Sequence, residues 1–270
     1  MKNLLNILIE RNPELANIEI PSMEELKQKR VEHFNNSAGE LDKQDGYNCT
    51  KCLNKGFKMR LDDLGNEVLQ ACSCQKIRST LLRAKRSGLG DIIRDYTFDK
   101  FAATEPWQVD LLNKAKQFCH DDQAEWFYIG GQVGSGKTHL CTAIASHYIK
   151  QGKEVRYMLW AEDSKFLKAN VNEDVYREKM NEYNNVEVLY IDDFLKTKQG
   201  EAPTTADINL AFEIINHRLI SSGKITIISS EKLINELMDY DEGTMSRIYH
   251  KAKDYTFSIG RDRAKNYRLK

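Results

Sequence analysis

The sequence predicts an α/β fold in which a parallel sheet is covered by helices on both faces, and three features carry that expectation. The apolar run "WFYI" (126–129) passes into "GGQVGSGKTHL" (130–140) and then into the helix-like "CTAIASHYIK". A second apolar run, "VEVLYIDDF", ends in two aspartates. Around them strand-like and helix-like segments alternate, as in β-α units whose ligand sits at the C-terminal ends of the strands.

In chain order, residues 1–45 carry helical periodicity in "LLNILIE" and "MEELKQKRVEHF", separated by the breaker-rich "NPELANIEIPS". Six basic against nine acidic residues leave this segment slightly negative. It is too short for a large core of its own, so it is expected to pack on the next module or on a partner. In residues 46–75, Cys49, Cys52, Cys72 and Cys74 form C-x2-C, nineteen intervening residues, then C-x-C. Between the pairs, "FKMRL" and "EVLQA" flank the turn "DDLGN" and read as a hairpin that brings both pairs to one end. Four thiolates around one tetrahedral zinc suit its preference for soft ligands and leave no open position for catalysis. Cys119 and Cys141 stand alone in helix-like segments and are read as packing residues. Residues 76–89 form a basic linker helix within "QKIRSTLLRAKRSG", with Gly88 as its C-cap.

The nucleotide domain is expected over 90–270. Its strands are "WFYIGG", "EVRYMLW", "VEVLYIDDF" and "KITIISS". Its helices are "THLCTAIASHYIKQG", a single long "EDSKFLKANVNEDVYREKMNEY", and "DINLAFEIINHRLISSG". There is no internal repeat and no low-complexity tract.

Gly131, four residues, then Gly136, Lys137 and Thr138 have the spacing of a phosphate-binding loop. Glycines 131, 134 and 136 let the backbone turn its N–H groups inward, where a helix N-terminus favours an anion. Ser135 belongs to the same loop, and His139, which follows Thr138, is counted with the nucleotide-binding residues. Lys137 is expected to reach the β- and γ-phosphates of ATP, and the Thr138 hydroxyl to ligate a magnesium ion with Asp192 as the carboxylate partner. Asp193 is placed to orient or deprotonate the attacking water. Neither His139 nor the histidines at 33, 120, 147, 217 and 250 form a catalytic or ligand spacing with one another.

Forty basic and forty acidic side chains cancel, so no global field draws the chain to nucleic acid. The absence of an eighteen-residue apolar run and of a signal-peptide pattern reads as a soluble, cytoplasmic protein with no membrane partner.

The phosphate loop, "LYIDDF", "TTADINLAFEIINHRL", "ITIISSEKLINEL", "MSRIYHKAKDYTFSIG" and "IRDYTFDKF" together resemble the AAA+ replicative helicase loaders of the DnaC/DnaI type. Versions carried by phages and mobile elements, with a cysteine module before the ATPase, are most similar, and the resemblance covers about residues 46–270. It implies an AAA+ P-loop ATPase core, a replicative DNA helicase as partner, contact with single-stranded DNA, and self-assembly through the ATP sites. It also implies roles that spacing does not supply. Ser230 falls where such proteins place the residue that senses the γ-phosphate, and Arg247 matches the arginine finger that reaches the neighbouring subunit's nucleotide. Phe98 or Phe101 would border the adenine.

Between Lys251 and Lys270 there are seven basic residues against two aspartates, interleaved with Tyr255, Phe257 and Tyr267. That pattern suits a single strand, with cations tracking phosphates and an aromatic stacking on a base, and it equally suits a solvated face over core aromatics. Lys196 and Lys198 form a smaller candidate patch. Two other readings stay open: a regulator of DNA transposition with the same core, and a nucleotide-gated binding module with little hydrolysis.

Overall fold

The computed structural model describes residues 21–198 and 201–269. The "LLNILIE" stretch lies outside them. The chain divides into two compact units, one ending at Arg78 and the other beginning at Ser79.

In the first unit, helix α1 (Met23–Asn36) opens on a reciprocal cap: the Glu25 N–H donates to Ser22 Oγ at 3.1 Å and the Ser22 N–H to Glu25 Oε2 at 2.6 Å. A short α2 (Leu41–Asp45) follows. Strands β1 (Phe57–Leu61) and β2 (Glu67–Ala71) pair antiparallel, with Leu61 opposite Glu67 and Phe57 opposite Ala71. The turn between them is closed by Asp62, whose carboxylate accepts from the N–H groups of Leu64 and Asn66. The Asn35 side chain reads the Met59 backbone in both directions, at 2.9 and 3.0 Å, and so fixes α1 against β1.

Helix α3 (Cys74–Arg86) carries the chain into the second unit and ends before Gly88, whose φ of +86° a residue with a Cβ rarely adopts. After α4 (Ile92–Asp95) and α5 (Pro106–Phe118) come β3 (Trp126–Gly131), α6 (Lys137–Lys150), β4 (Val155–Leu159), α7 (Trp160–Ala169), α8 (Asp174–Asn185) and β5 (Val188–Asp192). The remaining elements are α9 (Thr205–Leu219), β6 (Ile225–Ser230), α10 (Ile234–Met238), α11 (Glu242–Ala252) and β7 (Thr256–Ile259).

The five strands form one parallel sheet in the order β4-β5-β6-β3-β7. Strand alternation splits the core into two layers. Phe127, Ile129, Tyr190 and Ile227 face α6 residues such as Leu140 and Ile144. Trp126, Tyr128, Leu189, Ile191 and Ile228 face Ile214 of α9 and Met245 and Ile248 of α11. Both faces are therefore covered, as the near-continuous apolar strands predict.

Two expectations are corrected. Trp160 does not extend its strand but opens α7, where the Asp163 carboxylate of the first turn reaches back to accept from the Leu159 N–H at 2.8 Å. The single long helix is two, because a turn interrupts it between Asn170 and Glu173. Among the described residues no helix is long and apolar enough to cross a membrane.

Candidate nucleotide site and thiol cluster

The loop between β3 and α6 bends at glycines because nothing larger fits. A Cβ on Gly131, at φ +113°, would lie 2.0 Å from the Ile259 carbonyl oxygen, and one on Gly136, at φ +89°, would stand 2.8 Å from the Phe101 ring. Lys137 opens α6 with its side chain folded into the loop, where Nζ donates to the carbonyls of Gly131 at 2.9 Å and Gln132 at 2.7 Å. It is 6 % exposed. Burial lowers its pKa against the opposing pull of Glu231, Asp193 and Asp192. Ser135 Oγ donates to the Gln132 carbonyl at 2.7 Å and braces the turn.

Asp192 ends β5 within reach of three hydroxyls. Thr138 Oγ1 donates to its Oδ1 at 3.2 Å, Tyr157 donates to its Oδ2 at 3.1 Å, and Ser229 Oγ also donates to Oδ1. Asp193 follows in a left-handed conformation, φ +56°, with its N–H directed at Ser229 Oγ. That bend turns the Asp193 carboxylate into the cavity, where Lys196 Nζ donates to it at 2.8 Å and pairs equally closely with Glu231. Burial would lower the Lys196 pKa, but those two carboxylates raise it on balance. Lys196 of the smaller basic patch is thus engaged by two carboxylates at the rim of the cavity.

A cavity of about 350 Å³ runs from these carboxylates past Gly134, Lys137 and Thr138 to an aromatic end. There His139 stacks on Tyr96 with ring centroids 4.8 Å apart and meets Phe101 edge-on, while its Nε2 donates to the Thr97 carbonyl at 2.8 Å. Burial keeps its pKa below the usual histidine value. Phe101 lines this cavity and Phe98 does not. The residues fit a nucleoside triphosphate with a divalent cation: a glycine cradle that side chains would fill, a buried ammonium, and a hydroxyl–carboxylate pair at its floor.

The structure differs from the expectation for Ser230. Alternation along β6 turns its hydroxyl away from Asp192 to donate to the Phe194 carbonyl at 2.9 Å, and the hydroxyl on the Asp192 side is that of Ser229. Arg247, on α11, is exposed and donates to Asn216 Oδ1 at 3.2 Å, outside the cavity of its own subunit. Tyr255 is buried in the core and donates to Asp121 at 2.7 Å, so it is not available to stack on a base, and Phe257 is half-buried against the same core. Spacing alone misses Tyr96, Glu231, Tyr267 and Arg268, which line the cavity, and Tyr157 and Ser229, which reach Asp192, since each is brought there by the tertiary fold.

In the first unit the Sγ atoms of Cys49, Cys52, Cys72 and Cys74 all lie within 4.8 Å of one another, with Cys49–Cys72 at 3.9 Å and Cys52–Cys74 at 3.5 Å. Tetrahedral Zn–S bonds of about 2.3 Å require sulfurs ~3.8 Å apart, so this donor set fits zinc in geometry as well as chemistry. The Gly56 N–H donates to Cys52 Sγ at 3.3 Å, the kind of outer contact that steadies a thiolate ligand. Cys119 and Cys141 are buried singly, and burial raises both thiols, Cys119 to about 12, which makes them packing residues rather than nucleophiles.

Residues 25–249 match the family model described as IstB-like ATP binding protein. The chain belongs to that family. Among curated relatives of this family member, the uncharacterized protein YqaM of Bacillus subtilis is 40% identical over 143 residues, 52% of this chain and 44% of YqaM. The phage-like element PBSX protein XkdC of the same organism is 29% identical over 225 residues, 79% of this chain and 82% of XkdC. The replicative helicase loader DnaC of Buchnera aphidicola is 27% identical over 113 residues, 40% of this chain and 46% of that protein. The crystal structure of DnaI superposes with a TM-score of 0.52 at 20% identity, over 63% of this chain and 92% of that one, which identifies the fold as AAA+-like.

Proposed function

We propose that the protein is an ATP-hydrolysing loader that binds a ring-shaped replicative DNA helicase and helps place it on single-stranded DNA. The observation that carries the enzymatic part is the Asp193 carboxylate, turned into the cavity by a left-handed backbone and held there by Lys196 beside the Thr138–Asp192 pair. Lys137 neutralises the phosphates, and Thr138 and Asp192 hold the divalent cation, which when bound screens the charge on the β- and γ-oxygens. Asp193 orients the attacking water and takes up its proton. Arg247, free of its own cavity, completes the site of a neighbouring copy. Replacing Asp193 with Asn is expected to leave nucleotide binding intact and to abolish turnover; if neither wild type nor variant hydrolyses ATP even with DNA and partner, the protein is a nucleotide-gated binder instead.

The helicase partnership is supported by the sequence features shared with loaders and by the similarity of part of the chain to the replicative helicase loader DnaC of Buchnera aphidicola. In this reading residues 1–45 and the zinc-holding thiols grip the helicase, and ATP hydrolysis acts as the timer that releases it. Light-scattering mass of the protein mixed with its host's replicative helicase, with ATP, with ADP and with Lys137→Ala, tests the partnership. A nucleotide-sensitive complex of defined stoichiometry is expected. If no complex forms under any condition, the helicase is not the partner, and a transposase is the next to test.

A further inference from the structure

After β7 the chain does not leave the molecule but folds back over the phosphate loop. The Gln132 N–H donates to the Ile259 carbonyl at 3.0 Å, and Gln132 Oε1 accepts from the Asp262 N–H at 2.8 Å. Two short 3₁₀ turns follow, Arg263–Lys265 and Tyr267–Leu269. Between them Asn266 lies so close to the loop that a Cβ on Gly134 would fall 1.9 Å from its Oδ1. The Tyr267 N–H donates to the Gly134 carbonyl at 2.9 Å, its ring meets Phe101 edge-on at 6.2 Å, and its hydroxyl donates to the Ala102 carbonyl. Tyr267 and Arg268 both line the cavity that holds Lys137 and Thr138.

These contacts redirect the basic, aromatic C-terminal segment. Of its three aromatics, Tyr255 is in the core, Phe257 packs half-buried against it, and Tyr267 is turned onto the phosphate loop rather than outward to a strand of DNA. We infer that residues 263–269 form a wall of the nucleotide site, in which Tyr267 closes the cavity between the phosphate loop and Phe101 and Arg268 supplies a second cation for the bound anion. The inference rests on the nucleotide reading of the cavity. A guanidinium lining the cavity adds what Lys137 cannot, a planar fork that can donate twice to a phosphate. Tyr267 locks the tail through one backbone and one side-chain bond, so the arginine is delivered in a defined position rather than on a free end. A tail clasped on the loop also restricts the route by which nucleotide leaves, and slow exchange suits a protein whose bound nucleotide sets an assembly state.

The test is calorimetric binding of ADP and ATP to the full chain, wild type, Lys137→Ala, Arg268→Ala, Arg268→Lys and Tyr267→Ala, with each protein's melting temperature measured without nucleotide. Binding of a fluorescent oligothymidylate is measured in parallel. Arg268→Ala is expected to weaken both nucleotides about tenfold at an unchanged melting temperature, and Arg268→Lys to recover part of the loss, because charge is kept while the fork is lost. If wild type binds nucleotide and both Arg268 variants and Tyr267→Ala bind it equally well, the tail is not part of the site. If the tail variants keep nucleotide and lose the oligonucleotide, the segment is a DNA contact and the inference is overturned. If wild type itself binds no nucleotide, the reading of the cavity fails, and that result is separate from either of the others.

Discussion

The two serines that end β6 differ by one position and by everything that surrounds them. Ser229 donates to the Asp192 carboxylate and accepts from the Asp193 N–H, so it fixes the first carboxylate and the backbone that carries the second. Ser230 bridges the Phe194 carbonyl and the Lys232 N–H on the other side of the sheet. Ser229→Ala is therefore expected to slow ATP turnover about tenfold and also to lower the melting temperature, since a hydrogen bond to a charged group is worth roughly 1.5–3 kcal/mol of stability. Ser230→Ala should separate the two effects, lowering the melting temperature by roughly 3–6 °C through two lost buried hydrogen bonds while turnover stays near wild type. Side-by-side turnover and melting of the two variants checks this; a slow Ser230→Ala with a normal Ser229→Ala would return the sensing role to Ser230. The phosphate loop and the aspartate pair are legible in the sequence because their chemistry demands contiguous residues. The hydroxyls of Tyr157 and Ser229 are not, because only strand pairing and the two-residue alternation decide which of them face Asp192.

At the scale of the element, α9 is held at both ends by charged groups that periodicity does not expose. At its start Asp207 accepts from the Thr204 N–H and hydroxyl at 3.0 and 2.6 Å and pairs with Lys168 of α7. Burial alone would raise the Asp207 pKa, but Lys168 and Thr204 outweigh it, and the net shift is downward. A carboxyl with a depressed folded pKa contributes stability that is complete above its unfolded value of ~3.9 and is lost as pH falls through the folded value. Asp207→Asn is accordingly expected to be less stable than wild type at pH 7, with the gap closing below about pH 4. Urea unfolding at pH 7 and pH 3 reads it, and a gap of constant size would remove the ionic contribution. Near the other end, the fully buried Arg218 carries no carboxylate partner among the described residues; it donates instead to the carbonyls of Tyr183 and Val186 at the end of α8, to Ile225 O at 2.7 Å and to Thr226 Oγ1 at 2.9 Å. Arg218→Met keeps the volume and orphans those carbonyls, so a loss of about 3 kcal/mol and a fall of roughly 6–12 °C in melting temperature are expected. An unchanged melting temperature would mean that water replaces the guanidinium. The apolar pattern of "FEIINHRL" correctly marks α9 as a helix, but its buried arginine reads in sequence as an exposed charge. The break between α7 and α8 had a signal that periodicity hid: Asn170 and Asn172 flank Val171, and asparagine is a common residue just past a helix end.

At the scale of the molecule, the two units depend on different forces. The second buries two apolar layers against its sheet, whereas the first has only the cysteine cluster, with Tyr47 beside it, as a buried core among the described residues. A unit of that kind needs a metal in place of a core. Near-stoichiometric zinc by elemental analysis is expected, and a strong chelator or Cys52→Ser should unfold the first unit while the cooperative melting of the second persists. Folded protein without zinc would give the thiols another role.

The proposed assembly is tested at Arg247. It sits outside its own cavity, bonded only to the Asn216 amide oxygen with no carboxylate partner among the described residues, and shares a groove with the 79 % exposed Ile220, a combination of cation and uncovered apolar surface that favours contact with another chain. If the neighbour's cavity receives it, contacts run head to tail, and each active site is built from two copies: Lys137 from one and Arg247 from the next. Lys137→Ala and Arg247→Ala should then both be inactive alone, for different reasons. Mixed one to one they should regain activity, because an Arg247→Ala subunit keeps an intact cavity and a Lys137→Ala neighbour can supply the missing arginine. Random assembly leaves about a quarter of the sites with both parts, which sets the expected recovery relative to wild type. Turnover of the mixture, against each variant at the same total concentration, decides the point. Recovery near that level requires a shared site; no recovery, with assembly shown by light scattering to be intact, would return Arg247 to an ordinary charge on the face of α11.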